Sequence, residues 1–327
     1  MRNARVLSQS FLENFRIGWL QPLLVRIKSD DTLMLAIRDG YINVYYRGGS
    51  MLKISETRPE HYQVAFNANY NKSSYVLPDL PGTLTGADDV ANLIAAIPGL
   101  KEVMDRYFSA IDSDGRAKPE REFQQLVARE NNRSPISNET EYFIVDIEFA
   151  QTDISARFDM LAVRWLRTER KKQGTLVPVL IEMKYGTNAF GGSSGIVQHL
   201  KDVKALFNDI TRWNAVIDSL EGQINQLADL DLLNFNRSKS VTRLIVDREA
   251  KPEFIFLLAN HNPASAKLKQ ILDEIDPSNE AIAPYSLLFF TSSFAGYGMH
   301  RACMTELADF KTKVACLLKS AQCSRSN

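Results

Sequence analysis

The sequence has few cysteines and no long apolar run, and both absences limit where the protein works. Three cysteines, an odd number at wide spacing, do not form the framework of a disulfide-stapled protein. No run approaches the ~18 consecutive apolar residues that a membrane span needs. Charges lie near the N-terminus where a signal peptide has its apolar core. We therefore expect a cytoplasmic protein without a membrane partner. The cysteines are Cys303, Cys316 and Cys323.

An excess of charge of one sign is also missing, because 39 Lys and Arg balance 39 Asp and Glu. Only a local basic patch could therefore attract a polyanion. Neither G-x-x-x-x-G-K-[ST] nor G-x-G-x-x-G occurs, so we expect no ATP or dinucleotide in such loops. The four histidines are scattered, and no His/Cys spacing is typical of zinc. "GGSSG" matches G-x-S-x-G, but the preceding strand ends near Tyr185, too early to present Ser193 as a nucleophile.

The chain divides into two regions of different pattern. Residues 32–70 contain short apolar and aromatic runs separated by Asp-Gly (39–40) and Gly-Gly (48–49), which predicts a β-meander. The polar, turn-rich stretch 112–119 predicts a domain boundary. We expect a smaller N-terminal β-rich α+β domain, serving substrate recognition or partner binding, followed by a larger domain. Their predicted ranges are 1–115 and 116–327.

The second region has the pattern of an α/β protein. A helix beginning at Pro119 precedes three successive apolar strands, and helices and strands then alternate in the order α-β-β-β-α-(α)-β-α-β. This order predicts a mixed central sheet flanked by helices. Alternation in the first strand leaves Asp146 and Glu148 on the solvent side, with Glu148 an outside candidate for a functional site. The alternating apolar residues are Phe143, Val145, Ile147 and Phe149.

Charged residues interrupt the next two strands at matching places. Asp159 interrupts "FDMLAV", and Glu182 and Lys184 interrupt "VLIEMK". Residues two apart on a strand share a face, so Glu182 and Lys184 point the same way. In an antiparallel hairpin, Asp159 and Glu182 can be cross-strand neighbours with Cβ atoms roughly 5 Å apart. Two carboxylates that close repel each other unless a cation lies between them, and Mg²⁺ binds one or two carboxylates together with substrate phosphate.

These residues predict a site for Mg²⁺ (or Mn²⁺) held by Asp159, Glu182 and the carbonyl of Met183. Lys184 would contact the phosphate or the attacking water, and the reaction would be metal-assisted hydrolysis of a phosphodiester. A structural ion pair of Lys184 with one of the acids is the alternative. The chain has five [DE]-x-K triplets, but only 182–184 lies in an apolar strand that follows another apolar strand with an isolated Asp.

The segment "FDMLAV…VLIEMKYG…GIVQHLKD", preceded by a helix with "PEREFQQLV", resembles the PD-(D/E)xK nuclease superfamily over roughly residues 117–260. Asp159 matches the first acid of the motif, Glu182 the second and Lys184 its lysine, although Phe158 stands where the motif has Pro. The resemblance implies a restriction-endonuclease-like αβββαβ core. It also implies a catalytic Glu on the first helix, for which Glu120 fits best and Glu122 is the alternative. RecB-like members carry a Gln on the helix after the lysine strand, and Gln198 occupies that place.

The resemblance also implies a function, an Mg²⁺-dependent nuclease, with DNA as the expected partner. Restriction, phage defence or repair are the expected purposes, and a homodimer stays open. A catalytically silent DNA-binding or assembly subunit with the same fold is the main alternative, and an unrelated α/β protein with a structural ion pair is another. Basic residues in the loop between the acid-bearing strands are predicted phosphate contacts, unless they are simply solvated. They are Arg167, Arg170, Lys171 and Lys172, with Arg164 beside them.

Overall fold

The structure, a computed structural model, is a mixed α/β arrangement of two β-sheets with helices packed on them. It describes residues 4–72, 75–109, 119–150, 157–170, 175–262, 264–292, 301 and 304–323. None of the helices in these ranges is long and apolar enough to cross a membrane.

The N-terminal region (residues 4–109) folds around an antiparallel sheet of strand order β1-β2-β3-β4-β5. The predicted meander is confirmed, and its turns contain Gly40 and Gly48 at φ +70° and +71°, which suit glycine. Two helices that the sequence pattern did not predict precede this sheet. The elements are α1 (Gln9–Arg16), α2 (Gln21–Lys28), β1 (Leu33–Ile37), β2 (Tyr41–Tyr46), β3 (Gly49–Arg58), β4 (His61–Phe66), β5 (Thr83–Leu84) and α3 (Ala87–Ser109).

The remaining region folds around a mixed sheet of strand order β12-β11-β10-β8-β7-β6, with β9 beside β8. Strands β6, β7 and β8 pair antiparallel, and β10 then pairs parallel to β8 and β11. The predicted mixed sheet flanked by helices is therefore confirmed. The elements are α4 (Pro119–Asn132), β6 (Tyr142–Ala150), β7 (Arg157–Arg164), β8 (Thr175–Tyr185), α5 (Ile196–Asn208), α6 (Ile210–Asp229), β9 (Ile245–Val246), β10 (Glu253–Ala259), α7 (Ala266–Asp273), α8 (Pro277–Ala281), β11 (Ser286–Ser292), β12 (Thr305–Glu306) and α9 (Leu307–Cys323).

Strand β6 departs from the predicted alternation. Its register against β7 shifts between Ile144 and Asp146, which moves Ile147 to the opposite hydrophobic cluster from Val145. The prediction that Asp146 faces solvent is therefore wrong. Its side chain is fully buried and forms ion pairs with Arg38 and Arg5.

The two sheets share buried contacts. One hydrophobic cluster includes residues from Leu7 in the N-terminal region to Val314 in α9. Arg38, at the end of β1, hydrogen-bonds to the carbonyl of Ile147 on β6 (2.8 Å) as well as pairing with Asp146. The predicted domain boundary at 115/116 falls in 110–118, outside the described residues.

Candidate active site

The candidate site lies where β7 leaves β8. The last register pair of these strands at this end is Met160 with Ile181, so Asp159 and Glu182 occupy the next opposed positions. Asp159 Oδ2 accepts a hydrogen bond from the backbone N–H of Met183 (2.8 Å), taking the place of a strand partner. This placement agrees with the predicted cross-strand relation of the two acids. Because the N–H and C=O of a strand residue point to the same neighbour, the Met183 carbonyl is also directed toward β7.

Glu182 and Lys184 lie together on the face of β8 that packs on α5. The Lys184 Nζ is 2.7 Å from Glu182 Oε1, and His199 Nε2 on α5 is 2.8 Å from the same oxygen. Both Glu182 and Lys184 are only 3% exposed, so the alternative of a buried ion pair is what the structure shows for this pair. Glu182 Oε2 is buried and has no hydrogen-bond partner among the described residues. An unsatisfied carboxylate oxygen of this kind fits a cation.

The first helix of this region contributes Glu120. Its Oε2 accepts a hydrogen bond from the N–H of Tyr185 at the end of β8 (3.1 Å). Glu122 instead contacts Arg47 of the N-terminal region (3.3 Å). The helix therefore brings Glu120 rather than Glu122 to the acids of the sheet.

The three carboxyl groups affect one another. Burial, together with the charges of Glu182 and Glu120, raises the pKa of Asp159 well above its usual range. Burial also raises the pKa of Glu120, against the opposing effect of the Lys184 charge. Burial acts to raise the pKa of Glu182 as well, but the hydrogen bond from His199 and the charge of Lys184 lower it overall. This mutual repulsion is what a bound cation would relieve.

A cleft of about 650 Å³ opens beside these acids. We call it the carboxylate cleft. Glu182 and Lys184 are buried and are not among its lining residues. Glu148 does line the cleft and pairs with Arg121 (2.7 Å). Its charged lining residues are Glu120, Arg121, Glu148, Arg157 and Asp159.

The residues partly fit a divalent cation. Two opposed carboxylates, a directed backbone carbonyl and an unpartnered Glu182 oxygen are suitable ligands for Mg²⁺, which completes its shell with water and substrate oxygens. However, the described residues contain no group of three or more His, Cys, Asp or Glu side chains arranged to hold a metal ion. Binding would therefore depend on backbone, water or phosphate oxygens as further ligands.

Several predicted site residues lie elsewhere. Gln198 donates a hydrogen bond to Asp202 on its own helix (2.9 Å), and the neighbouring His199 contacts Glu182 in its stead. The structure therefore brings His199, and not the predicted Gln198, into contact with Glu182. The signal that could have identified His199 is its position in the apolar stripe of α5, between Ile196 and Val203.

The predicted phosphate contacts are also revised. Arg170 is 3% exposed and donates to the carbonyls of Asn138 (2.8 Å) and Thr140, so the prediction that it binds phosphate is wrong. Burial lowers its pKa to about 10. Arg167 is exposed, but it lies in the β7–β8 connection, five strand residues or roughly 17 Å from Asp159. Lys171 and Lys172 lie outside the described residues.

Comparisons of the chain with protein-family models, with curated proteins and with solved structures found no match.

Proposed function

We propose that the protein is a metal-dependent nuclease of the PD-(D/E)xK type, which hydrolyses phosphodiester bonds in DNA. The observation that carries the proposal is the opposition of Asp159 and Glu182 where the pairing of β7 with β8 ends, with Glu120 and Lys184 close enough to affect the ionisation of Asp159. Two acids and a lysine suit metal-assisted phosphodiester hydrolysis, and the cleft that would admit the substrate is lined by Asp159 and Glu120.

The order of elements also supports the proposal. Helix α4 packs on β6 and β8, the antiparallel strands β6, β7 and β8 follow, and α5, α6 and the short β9 precede β10, which is parallel to β8. This order is compatible with the αβββαβ core that the resemblance implied, with the acids on its second and third strands.

Each residue has a separate role in this proposal. Asp159, Glu182 and the Met183 carbonyl would hold Mg²⁺ or Mn²⁺, which supplies charge neutralisation and an acidified water when bound. Glu120 orients the end of β8 through its hydrogen bond to Tyr185. His199 and Lys184 together keep Glu182 ionised, because the hydrogen bond from His199 and the charge of Lys184 lower the pKa of Glu182.

A second function has an observation in its favour. Lys184 and His199 both contact one oxygen of Glu182 in a buried cluster, an arrangement that also suits a structural ion pair. A catalytically silent DNA-binding subunit would retain the fold and the cleft but cut nothing.

A cleavage assay tests the proposal. The purified protein, with Mg²⁺ or Mn²⁺, should cut plasmid, linear or single-stranded DNA, and EDTA should stop the reaction. Glu182→Gln and Lys184→Met should each lower the rate by about 100-fold or more, as loss of a charge-stabilising group does. The matched control is the exposed triplet of Glu249 and Lys251, where Glu249→Gln and Lys251→Ala should cut like the parent.

Two results would contradict the nuclease. Equal cleavage by Glu182→Gln, Lys184→Met and the parent would show that the site is elsewhere. A parent that never cuts but shifts DNA in a gel would favour the silent subunit. If Lys184→Met merely unfolds, the more conservative Glu182→Gln decides the question.

A further inference from the structure

A second recess, of about 270 Å³, lies beside the carboxylate cleft. The β2–β3 turn, the end of α3 and the start of α4 form it, and we call it the aromatic recess. Its charged lining among the described residues consists of three cations and no acid, in contrast to the cleft. Acids outside the lining pair with two of these cations: Asp105 (3.1 Å) and Glu122 (3.3 Å) with Arg47, and Glu148 (2.7 Å) with Arg121. The cations are Arg47, Lys72 and Arg121, and the aromatic residues of its lining are Tyr70, Tyr107 and Phe108.

The aromatic rings of the recess form a connected wall. The ring centroids of Tyr70 and Tyr107 are 5.2 Å apart and those of Tyr107 and Phe108 are 5.4 Å apart, both edge to face. Tyr107 and Phe108 are only half-buried, and the guanidinium of Arg47 lies 5.1 Å from the Phe108 centroid. Aromatic faces together with cations bind the bases and phosphates of unpaired strands. Unpaired bases offer their faces to such rings, whereas the bases of a duplex are stacked on one another.

The recess is joined to the carboxylate cleft by Arg121, which lines both. Arg121 pairs with Glu148 (2.7 Å), which lines the cleft. Burial raises the pKa of Tyr70 in the recess, while the charge of Arg121 acts to lower it and that of Glu148 to raise it. The β2–β3 turn is held on α4, because the Gly48 N–H donates to Gln125 Oε1 (2.7 Å). A strand crossing Arg121 would therefore meet both the recess and the acids.

We propose that the aromatic recess binds one unpaired nucleotide of the strand that enters the carboxylate cleft. Its base packs on Tyr107 and Phe108, and its phosphate pairs with Lys72 and Arg121. A paired base cannot reach the recess, so the preferred substrates contain a single-stranded segment. The substrate preference rests on the proposed nuclease function, whereas the binding step does not.

Binding is measured by fluorescence anisotropy in EDTA, so that cleavage plays no part. The probes are a labelled single-stranded DNA, an RNA of the same sequence and the corresponding blunt DNA duplex. Phe108→Leu should weaken single-strand binding about tenfold, since base stacking is lost. Lys72→Ala should reduce the slope of log K against log salt by about 0.7, the value of one phosphate contact in a single strand.

The matched controls are Lys53→Ala and Tyr41→Leu. These residues form a cation–π pair (4.0 Å) on the same sheet but outside the recess, and both variants should bind like the parent. The inference is supported if the recess variants bind single strands more weakly and the controls do not. The DNA and RNA probes then show whether the recess binds DNA, RNA or both. If Phe108→Leu fails to fold, the exposed Lys72→Ala decides.

Two results would overturn the inference. One is unchanged single-strand binding in both recess variants, and the other is a parent that binds the blunt duplex more tightly than the single strand. Failure of the nuclease proposal is separate. If the parent binds single strands through the recess but cuts nothing, the inference holds and the nuclease proposal fails. If the parent cuts DNA but the recess variants bind single strands normally, the nuclease proposal holds and the inference fails.

Discussion

Asp159 is a carboxyl group that the fold places beside two other acids, and its ionisation should therefore affect stability. Burial and the charges of Glu182 and Glu120 raise its pKa above the value of about 3.9 expected in the unfolded chain. A group whose pKa is raised by folding stabilises the protein fully below its unfolded pKa, and this stabilisation is lost as the pH rises through the folded pKa. The ionised carboxylate of Asp159 should therefore destabilise the folded protein at neutral pH, unless a bound cation offsets the repulsion from Glu182 and Glu120.

Asp159→Asn should remove that strain, because the amide oxygen still accepts the Met183 N–H. In EDTA, the Tm of the variant minus that of the parent should be positive at pH 8 and should shrink toward zero near pH 4. Mg²⁺ should raise the Tm of the parent and not that of the variant. Thermal melts across pH check this, and a variant less stable than the parent at every pH would contradict it.

Single residues show what a sequence can and cannot predict. The opposition of Asp159 and Glu182 followed from strand periodicity, because a period of two leaves no choice of face. Adjacent residues of a helix point about 100° apart. His199 lies in the buried stripe of α5 with Ile196 and Val203, so the helical pattern favoured it, whereas the resemblance to RecB-like members pointed to Gln198. Asp146 was misassigned because a one-residue register shift reverses the faces of a strand. From the sequence, Arg170 is predicted to be a surface cation, because it lies in a charged loop. Only the folded structure shows the backbone carbonyls to which it donates hydrogen bonds.

At the scale of elements, the β2–β3 turn fixes the N-terminal region on α4. A Cβ at Gly48 would lie 2.2 Å from the backbone carbonyl of Arg121, and φ at Gly48 is +71°. Gly40 has a similar φ of +70°, but a Cβ there would have no heavy atom within 4 Å. Alanine at Gly40 therefore tests only the left-handed backbone conformation, whereas alanine at Gly48 tests that conformation and the contact with α4 together.

Gly40→Ala should destabilise the protein by about 1–2 kcal/mol, the penalty for a left-handed residue. Gly48→Ala should cost about 1–3 kcal/mol more, because the turn must move off α4. Chemical denaturation of both variants measures the difference. Equal losses of stability would show that the turn does not pack on α4.

The turns of the meander and the succession of the long strands along the chain could be predicted from the sequence, since Asp-Gly, Gly-Gly and apolar runs are local signals. Helices α1 and α2 were not predicted, although Ser8 caps α1 by accepting the N–H of Phe11 (3.1 Å). Their apolar faces pack on residues distant in sequence, within the large shared cluster. Such packing partners are not visible in a local pattern.

At the scale of the whole molecule, a buried charge network links the two sheets. Arg38 is 3% exposed and pairs with Asp146, which is fully buried, and it also donates to the Tyr45 hydroxyl (2.9 Å). Arg5 approaches the second oxygen of Asp146 (3.5 Å). Together with the shared hydrophobic cluster, this network predicts that the two regions unfold as one unit.

Arg38→Met should destabilise the protein by about 3–5 kcal/mol, because it leaves a buried carboxylate with an incomplete partner. Arg58→Met, at an exposed position in the same N-terminal sheet, should change stability by less than about 0.5 kcal/mol. Urea unfolding followed by circular dichroism and by fluorescence should give one coincident transition. Two separate transitions, or an unchanged stability of Arg38→Met, would contradict the link.

The nuclease account depends most on a divalent cation between the two opposed acids. A crystal structure with Mn²⁺ and a single-stranded oligonucleotide would measure this directly through the anomalous signal of the metal. The account predicts a peak at about 2.1 Å from carboxylate oxygens of both Asp159 and Glu182, with a phosphate oxygen as a further ligand. A structure with no peak there, and with Glu182 still held by Lys184 and His199, would contradict it.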